Sequence, residues 1–164
     1  MILQPTTRVL AIDPGTKEMG VAVLEGGALL YHGVVVIKKG RSAQETLDRG
    51  IASVGGLIED FRPAILVIEK TFVGRNRNAA LLNVFADEIQ ALGIRKQLNV
   101  LTFAPSAIKK AVAGNGWATK AEVAKVVVAR YPELKAFIFH DRKWKERFHA
   151  NMFDVVALGM MVSM

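Results

Sequence analysis

Two short apolar runs, Val9-Leu10-Ala11-Ile12 and Ile65-Leu66-Val67-Ile68, each end on an acid, Asp13 and Glu69. Runs this short and this apolar read as strands buried on both faces. An ionised carboxylate is costly to bury without a compensating cation, so the fold must offer both strand ends either water or positive charge. A third acid, Asp154, interrupts the apolar residues Phe153, Val156, Ala157 and Met160 of a helix expected from about Ala150 to Val162. For any one of these acids a turn cap or an exposed strand end is an adequate account. If adjacent strands and the last helix bring all three together, they repel, and a divalent cation resolves the conflict. Hard oxygen ligands of this kind suit Mg²⁺ or Mn²⁺.

The rest of the chain supplies elements that can build such a meeting. Arg8 to Ile37 reads as three strands, with Gly20 to Leu24 second and a Glu25-Gly26-Gly27 turn before Ala28. Leu47, Ile51, Val54, Ile58 and Phe61 then recur at helical spacing after a capping box of Ser42 and Glu45. That helix must stop near Pro63, because the residue before a proline is pushed out of the α region. Strand, helix, strand implies a parallel crossover. A polar loop (Arg75, Asn76, Arg77, Asn78) leads to a second helix with Leu81, Leu82, Phe85, Ile89 and Leu92 on one face, which Gly93 is expected to end. Asn99 to Phe103 is the next strand. Pro105 opens a short helix to Val112, Gly114-Asn115-Gly116 breaks it, and a second capping box (Thr119, Glu122) starts a helix reaching Tyr131. Glu133 to Phe148 is polar and basic, with no readable period. No repeat or linker divides the chain, so 1–164 is expected to be a single α/β domain. At this length about two-thirds of the unfolded surface can be buried, and no metal or disulfide staple is needed.

Composition narrows the chemistry. With no cysteine, a disulfide scaffold, a zinc–thiolate site and thiol catalysis are excluded. The longest apolar stretches fall well short of the roughly 18 residues of a membrane-spanning helix, and the chain from Met1 lacks the pattern of a signal peptide. A soluble, cytoplasmic protein is the expectation. Lys and Arg number 22 against 15 Asp and Glu, a net charge of +7, which makes a polyanion the first partner to consider. Arg75, Arg77, Lys109, Lys110 and Lys120 fall in or near loops expected on the same side as the acids. Arg142-Lys143-Trp144-Lys145 with Arg147 and Phe148 fits backbone contact with stacking, or equally a solvated helix face.

Ala11-Ile12-Asp13-Pro14-Gly15-Thr16 with Gly20, Val67-Ile68-Glu69-Lys70-Thr71-Phe72 and Asp154-Val155-Val156-Ala157-Leu158 together resemble the RuvC family of Holliday junction resolvases. The resemblance spans roughly Arg8 to Met161. It implies an RNase H-like fold, a mixed five-stranded sheet with helices on both faces, and a homodimer that cuts two strands of a four-way DNA junction with divalent metal. It further implies that Lys109 and Lys120 approach the cleaved phosphate and that Phe72 contacts unpaired bases near the crossover. One departure is Asn151, which stands where the family usually has a fourth acidic ligand, three residues before Asp154. An amide oxygen can bind Mg²⁺ but without charge. His149, two residues earlier, is a substitute if the helix starts late enough to turn it inward.

Phosphodiester hydrolysis needs an activated water, charge neutralisation and a stabilised leaving oxygen, which two divalent ions about 3.5–4 Å apart can supply. Asp13 is the expected bridge between Mg²⁺ or Mn²⁺ ions, Glu69 and Asp154 the flanking ligands, and Lys120 an added positive charge. The apolar excess on the second helix fits a twofold partner or, more simply, packing against the chain's own sheet alone. With the junction reading go an expected nucleoid association and room for a branch-migration helicase partner, whereas a bacterial, organellar or viral source is written in no residue. Two other readings stand beside this one: a junction-binding protein whose metal site Asn151 has weakened, and an actin-like ATP-handling enzyme built on Asp13-x-Gly15-Thr16. The latter fares poorly, since that architecture usually needs two such domains.

Overall fold

The computed structural model describes residues 6–72, 74, 76–138 and 143–163, the side chains of 143–150 excepted. Five strands, β1 (Arg8–Asp13), β2 (Glu18–Glu25), β3 (Ala28–Val36), β4 (Ile65–Glu69) and β5 (Asn99–Phe103), form one sheet in the order β3-β2-β1-β4-β5. β1 and β2, and β2 and β3, pair antiparallel, whereas β4 runs parallel to β1 and β5 parallel to β4. The helices are α1 (Ala43–Phe61), α2 (Arg77–Arg95), α3 (Pro105–Ala113), α4 (Lys120–Arg130) and α5 (Lys143–Ser163), with a 3₁₀ turn over Pro132–Phe137.

The apolar runs are continuous because the central strands are covered twice. Leu10, Ile12, Val21, Val23, Leu66 and Ile68 face α1 and α2, packing on Val54, Ile58, Phe85 and Ile89. Val9, Ala11, Ala22, Leu24, Ile65 and Val67 face α3, α4 and α5, packing on Ile108, Val123, Val127, Phe153, Val156 and Ala157. Each fully buried Leu, Ile, Val or Phe in these layers contributes about 1.5–3 kcal/mol of hydrophobic stabilisation. This is the mixed five-stranded sheet with helices on both faces that the resemblance implies.

Two helix boundaries and one cap differ from the sequence expectation. Gly93 does not end α2, which continues to Arg95. A Cβ at Gly93 would lie 2.6 Å from Leu66 Cδ2 and 2.8 Å from Val100 Cγ2, so the missing side chain lets the helix lie directly on β4 and β5. The last helix starts at Lys143 rather than near Ala150; its first turns are mostly basic and polar, with Trp144 and Phe148 spaced i, i+4 as their large apolar residues. The expected capping box at α1 is only half formed: Ser42 Oγ accepts from the Glu45 amide at 3.1 Å, but the Glu45 carboxylate accepts from the Arg41 amide instead. The box at α4 is complete, with Glu122 N–H donating to Thr119 Oγ1 and Thr119 N–H donating to Glu122 Oε2. No helix among the described residues is long and apolar enough to cross a membrane.

Candidate active site

Parallel pairing sets Ile12 of β1 opposite Ile68 of β4. The next residue on each strand is therefore an acid at the same edge of the sheet, Asp13 beside Glu69. On the other flank Asp13 pairs with Gly20 of β2. A Cβ at Gly20 would stand 2.9 Å from the Asn151 carbonyl oxygen, 3.2 Å from Val155 Cβ and 3.4 Å from Asp13 Cβ. Glycine there lets α5 approach the strand end closely enough to bring Asp154 and Asn151 to the two strand acids. α3 and α4 close the remaining side with Lys109 and Lys120. The result is a cleft of about 260 Å³ lined by Asp13, Glu69, Asn151, Asp154, Lys109 and Lys120, with Phe72 and Pro105 on its walls and Ile108, Val123 and Ala157 supplying apolar surface.

Burial is the main electrostatic fact. It pushes the Asp13 carboxyl up to about 7; the Asp154 charge adds to this, and the Lys120 ammonium opposes it. Burial likewise raises Glu69 to about 8, reinforced by Asp13 and Asp154 and countered by Lys120 and Lys109. Lys120 Nζ stands 3.1 Å from Asp154 Oδ2, on a side chain 64% exposed against 22% for its partner. Two carboxyls that hold protons near neutrality beside a third acid form a donor set that a hard divalent cation would relieve, so the chemistry fits the metal that the resemblance implies. The acids share the cleft without closing into a cage. Among the described residues no three carboxylates or imidazoles converge tightly enough to hold an ion outright, and the cation in contact is the lysine.

Most of the expected site residues meet here. Asp13, Glu69, Asp154, Asn151, Lys120, Lys109 and Phe72 all line the cleft. Phe72 is 76% exposed, so it does not continue the core. Its connector is tied down on both sides. Lys70 N–H donates to the Phe103 carbonyl at 2.8 Å, the Thr71 hydroxyl donates to the Asn83 side-chain carbonyl, and Gly74 N–H donates to the Phe72 carbonyl at 3.0 Å. Lys110 and Arg77 are exposed but stand outside the cleft wall, at the end of α3 and the start of α2. Arg75, Arg142 and the side chains of Lys143, Trp144, Lys145, Arg147, Phe148 and His149 lie outside the described residues. Because α5 begins well before His149, the late helix start required to turn that residue inward does not occur. Sequence reasoning passed over Trp117, which is 92% exposed just ahead of Lys120; its only signal was a large aromatic in a Gly-Asn-Gly break.

Comparison with known proteins agrees with this geometry. A family profile described as "Crossover junction endodeoxyribonuclease RuvC" matches residues 9–139. Curated relatives of that name include one from Maricaulis maris, 36% identical over 136 residues that cover 80% of this chain and 82% of that one. Another, from Hydrogenovibrio crunogenus, is 31% identical over 121 residues, covering 71% and 70%. Among solved structures, Thermus thermophilus RuvC in complex with a Holliday junction substrate aligns with a TM-score of 0.71 at 24% identity, covering 94% of this chain and 92% of that one. The yeast mitochondrial Holliday junction resolvase aligns at 0.69 with 16% identity, covering 99% and 82%. At such identities the two structural matches speak for a shared fold, and the family assignment comes from the profile and the curated relatives. On that basis, the chain belongs to the RuvC family of crossover junction endodeoxyribonucleases.

Proposed function

We propose that this protein is a divalent-metal-dependent DNA endonuclease that binds four-way junctions and resolves them by nicking two strands. The observation that carries the reading is the meeting of Asp13, Glu69 and Asp154, from two parallel strands and a helix, in one cleft beside Lys109 and Lys120. Family membership supports the substrate class, since the Thermus relative is described in complex with a Holliday junction.

Asp13, Glu69 and Asp154, with the Asn151 amide, are the residues that would hold Mg²⁺, with Mn²⁺ as a substitute. Two bound ions would activate a water and neutralise the phosphate during displacement. The chain's own residues do the rest. Lys120 and Lys109 bring fixed positive charge to the cleft mouth, where it attracts a phosphate and stabilises charge that develops in the transition state. Lys120 gives up its contact with Asp154 in doing so, and the apolar surface of Ile108, Val123 and Ala157 limits water around the acids. Phe72 offers an exposed ring to an unpaired base at the crossover, and Lys110, Arg77 and Arg75 extend the phosphate-tracking surface. A homodimer would set two such clefts about a twofold axis, matching a substrate of approximate twofold symmetry. α2 supports it: Phe85, Ala86 and Ile89 are buried inward while Val84 remains 49% exposed on the opposite side.

A second reading, a junction-binding protein of weakened catalysis, is favoured by the neutral ligand Asn151. One experiment separates the two: labelled four-way junction, linear duplex and RNA–DNA hybrid are incubated with wild type and Asp13→Asn in Mg²⁺, Mn²⁺ or EDTA. Paired symmetric nicks in the junction alone, lost with EDTA and with Asp13→Asn, are expected. Tight junction binding without cleavage in either metal would instead select the second reading.

A further inference from the structure

Trp117 is the most exposed large apolar side chain of the described residues, 92% accessible, where Phe72 is next at 76%. Leaving an indole in water forgoes one of the largest burial gains any side chain offers, and the loop carrying it is not loose. Asn115 folds back so that its side-chain Oδ1 accepts the Trp117 amide at 3.0 Å while its carbonyl accepts the Ala118 amide at 3.1 Å. Gly114 adopts φ +76°, a left-handed conformation suited to glycine, and a Cβ at Gly116 would press on the Ser106 carbonyl at 3.2 Å. Ala118 is buried to 2% against the core, and Thr119 caps α4. With its neighbours pinned on both sides, the indole is held outward.

Its position gives the exposure a meaning. Lys120, three residues on, reaches Asp154 in the cleft. Three residues span at most about 10 Å, or roughly three nucleotide steps at ~3.4 Å per step along a strand. An aromatic ring at that distance from the phosphate-binding lysine, with Lys110 in the preceding helix, has the make-up of a stacking platform within a basic surface. Phe72 reaches the same cleft from the β4–α2 connector, whereas Trp117 stands on the loop between α3 and α4.

We propose that Trp117 is a second base-stacking residue, binding an unpaired or unstacked nucleobase of the strand held at the cleft, within a few nucleotides of the phosphate that Lys120 faces. The proposal rests on the nuclease reading above and adds to it a contact from a different connector than the one carrying Phe72. The bound group is a nucleobase of DNA, not a protein partner.

The test uses the full chain in EDTA, so that nothing is cleaved. The sequence has two tryptophans, Trp117 and Trp144, so Trp144→Phe isolates the signal, and the difference between wild type and Trp117→Phe gives it again without relying on that variant. A four-way junction is titrated while indole emission and electrophoretic mobility are followed together. Emission assigned to Trp117 is expected to fall as the junction binds. Trp117→Ala should weaken binding roughly 10- to 100-fold, the range for loss of one base–aromatic stack, and Trp117→Phe should restore most of it. Junction binding by mobility with unchanged Trp117 emission and an unaffected Trp117→Ala would overturn the proposal and leave the nuclease reading standing. No junction binding by wild type would overturn both.

Discussion

Replacing Gly20 with alanine should damage catalysis more than it damages the fold. The new Cβ would sit 2.9 Å from the Asn151 carbonyl oxygen and 3.2 Å from Val155 Cβ. The first contact is with helix backbone, which cannot rotate away as a side-chain tip would, so α5 must lift by a few tenths of an ångström. Overpacking of this kind costs about 1–3 kcal/mol, while exchanging glycine for alanine in a strand returns roughly 0.5–1 kcal/mol. The net loss is about 1 kcal/mol, a fall in Tm of about 2–4 °C at this chain length. The turn of α5 that moves carries both Asn151 and Asp154, and misplacement by 1 Å can cost about 100-fold in rate. A shift of a few tenths should therefore lower junction cleavage about tenfold. The control is Gly55→Ala in α1, where a Cβ meets nothing within 4 Å; it should stabilise by about 0.5–1 kcal/mol and leave cleavage unchanged. Thermal unfolding and single-turnover cleavage are measured on all three proteins. Gly20→Ala with wild-type cleavage and an unchanged or higher Tm would refute the argument that this glycine sets the height of α5 over the acids.

Stability in EDTA should fall as pH rises from about 5 to 9. Asp13 and Glu69 are held at about 7 and about 8 against ordinary values of 3.8 and 4.5. The native state therefore binds more protons than the unfolded chain in this window, and deprotonation costs it up to a few kcal/mol. Mg²⁺ or Asp13→Asn should flatten the profile; a Tm that rises with pH across the same window would contradict the assignment. Lys120→Gln should reduce cleavage about 10²–10³-fold yet change stability by no more than about 1 kcal/mol, because the lysine end of its ion pair is largely exposed; urea titration beside the nicking assay separates the two effects. Phe72→Ala should leave stability within about 0.5 kcal/mol of wild type and weaken junction binding roughly 10-fold or more, read by mobility shift; equal affinity would remove Phe72 from the interface.

The strands and the acids at their ends were legible because each depends on near neighbours in sequence. A run such as Ile65 to Ile68 has no other stable home than a doubly covered strand, and Asp13 and Glu69 follow at once. What was not legible depends on distance in space. Gly93 reads as a stop until Leu66 and Val100 are seen beneath it. The start of α5 is hard to read because Trp144 and Phe148 are the only large apolar residues among the charged and polar residues of its first turns, too few to set a period. That Glu45 accepts from Arg41 and not Ser42 is not legible, because no sequence signal distinguishes the two amides. The acids were expected to meet, and they do share a cleft; that Lys120 would stand against Asp154 could not be read from spacing, since it depends on how α4 abuts α5. Trp117 escaped notice because periodicity says nothing about a single residue in a turn.

α5 lies across the sheet against β1, β2, β3 and β4, and it brings the third acid from the far end of the chain. During synthesis, which runs at about 5–20 residues per second, the strands carrying Asp13 and Glu69 emerge long before it. Until α5 arrives, Val9, Ala11, Ala22 and Leu24 lack the helix that packs most extensively on that face, and the two acids have neither Asp154 nor the wall on which Asn151 stands. The same docking event that closes the core also completes the cleft. A complete cleft is thus the mark of a docked α5, and packing of the core and assembly of the acids are one event.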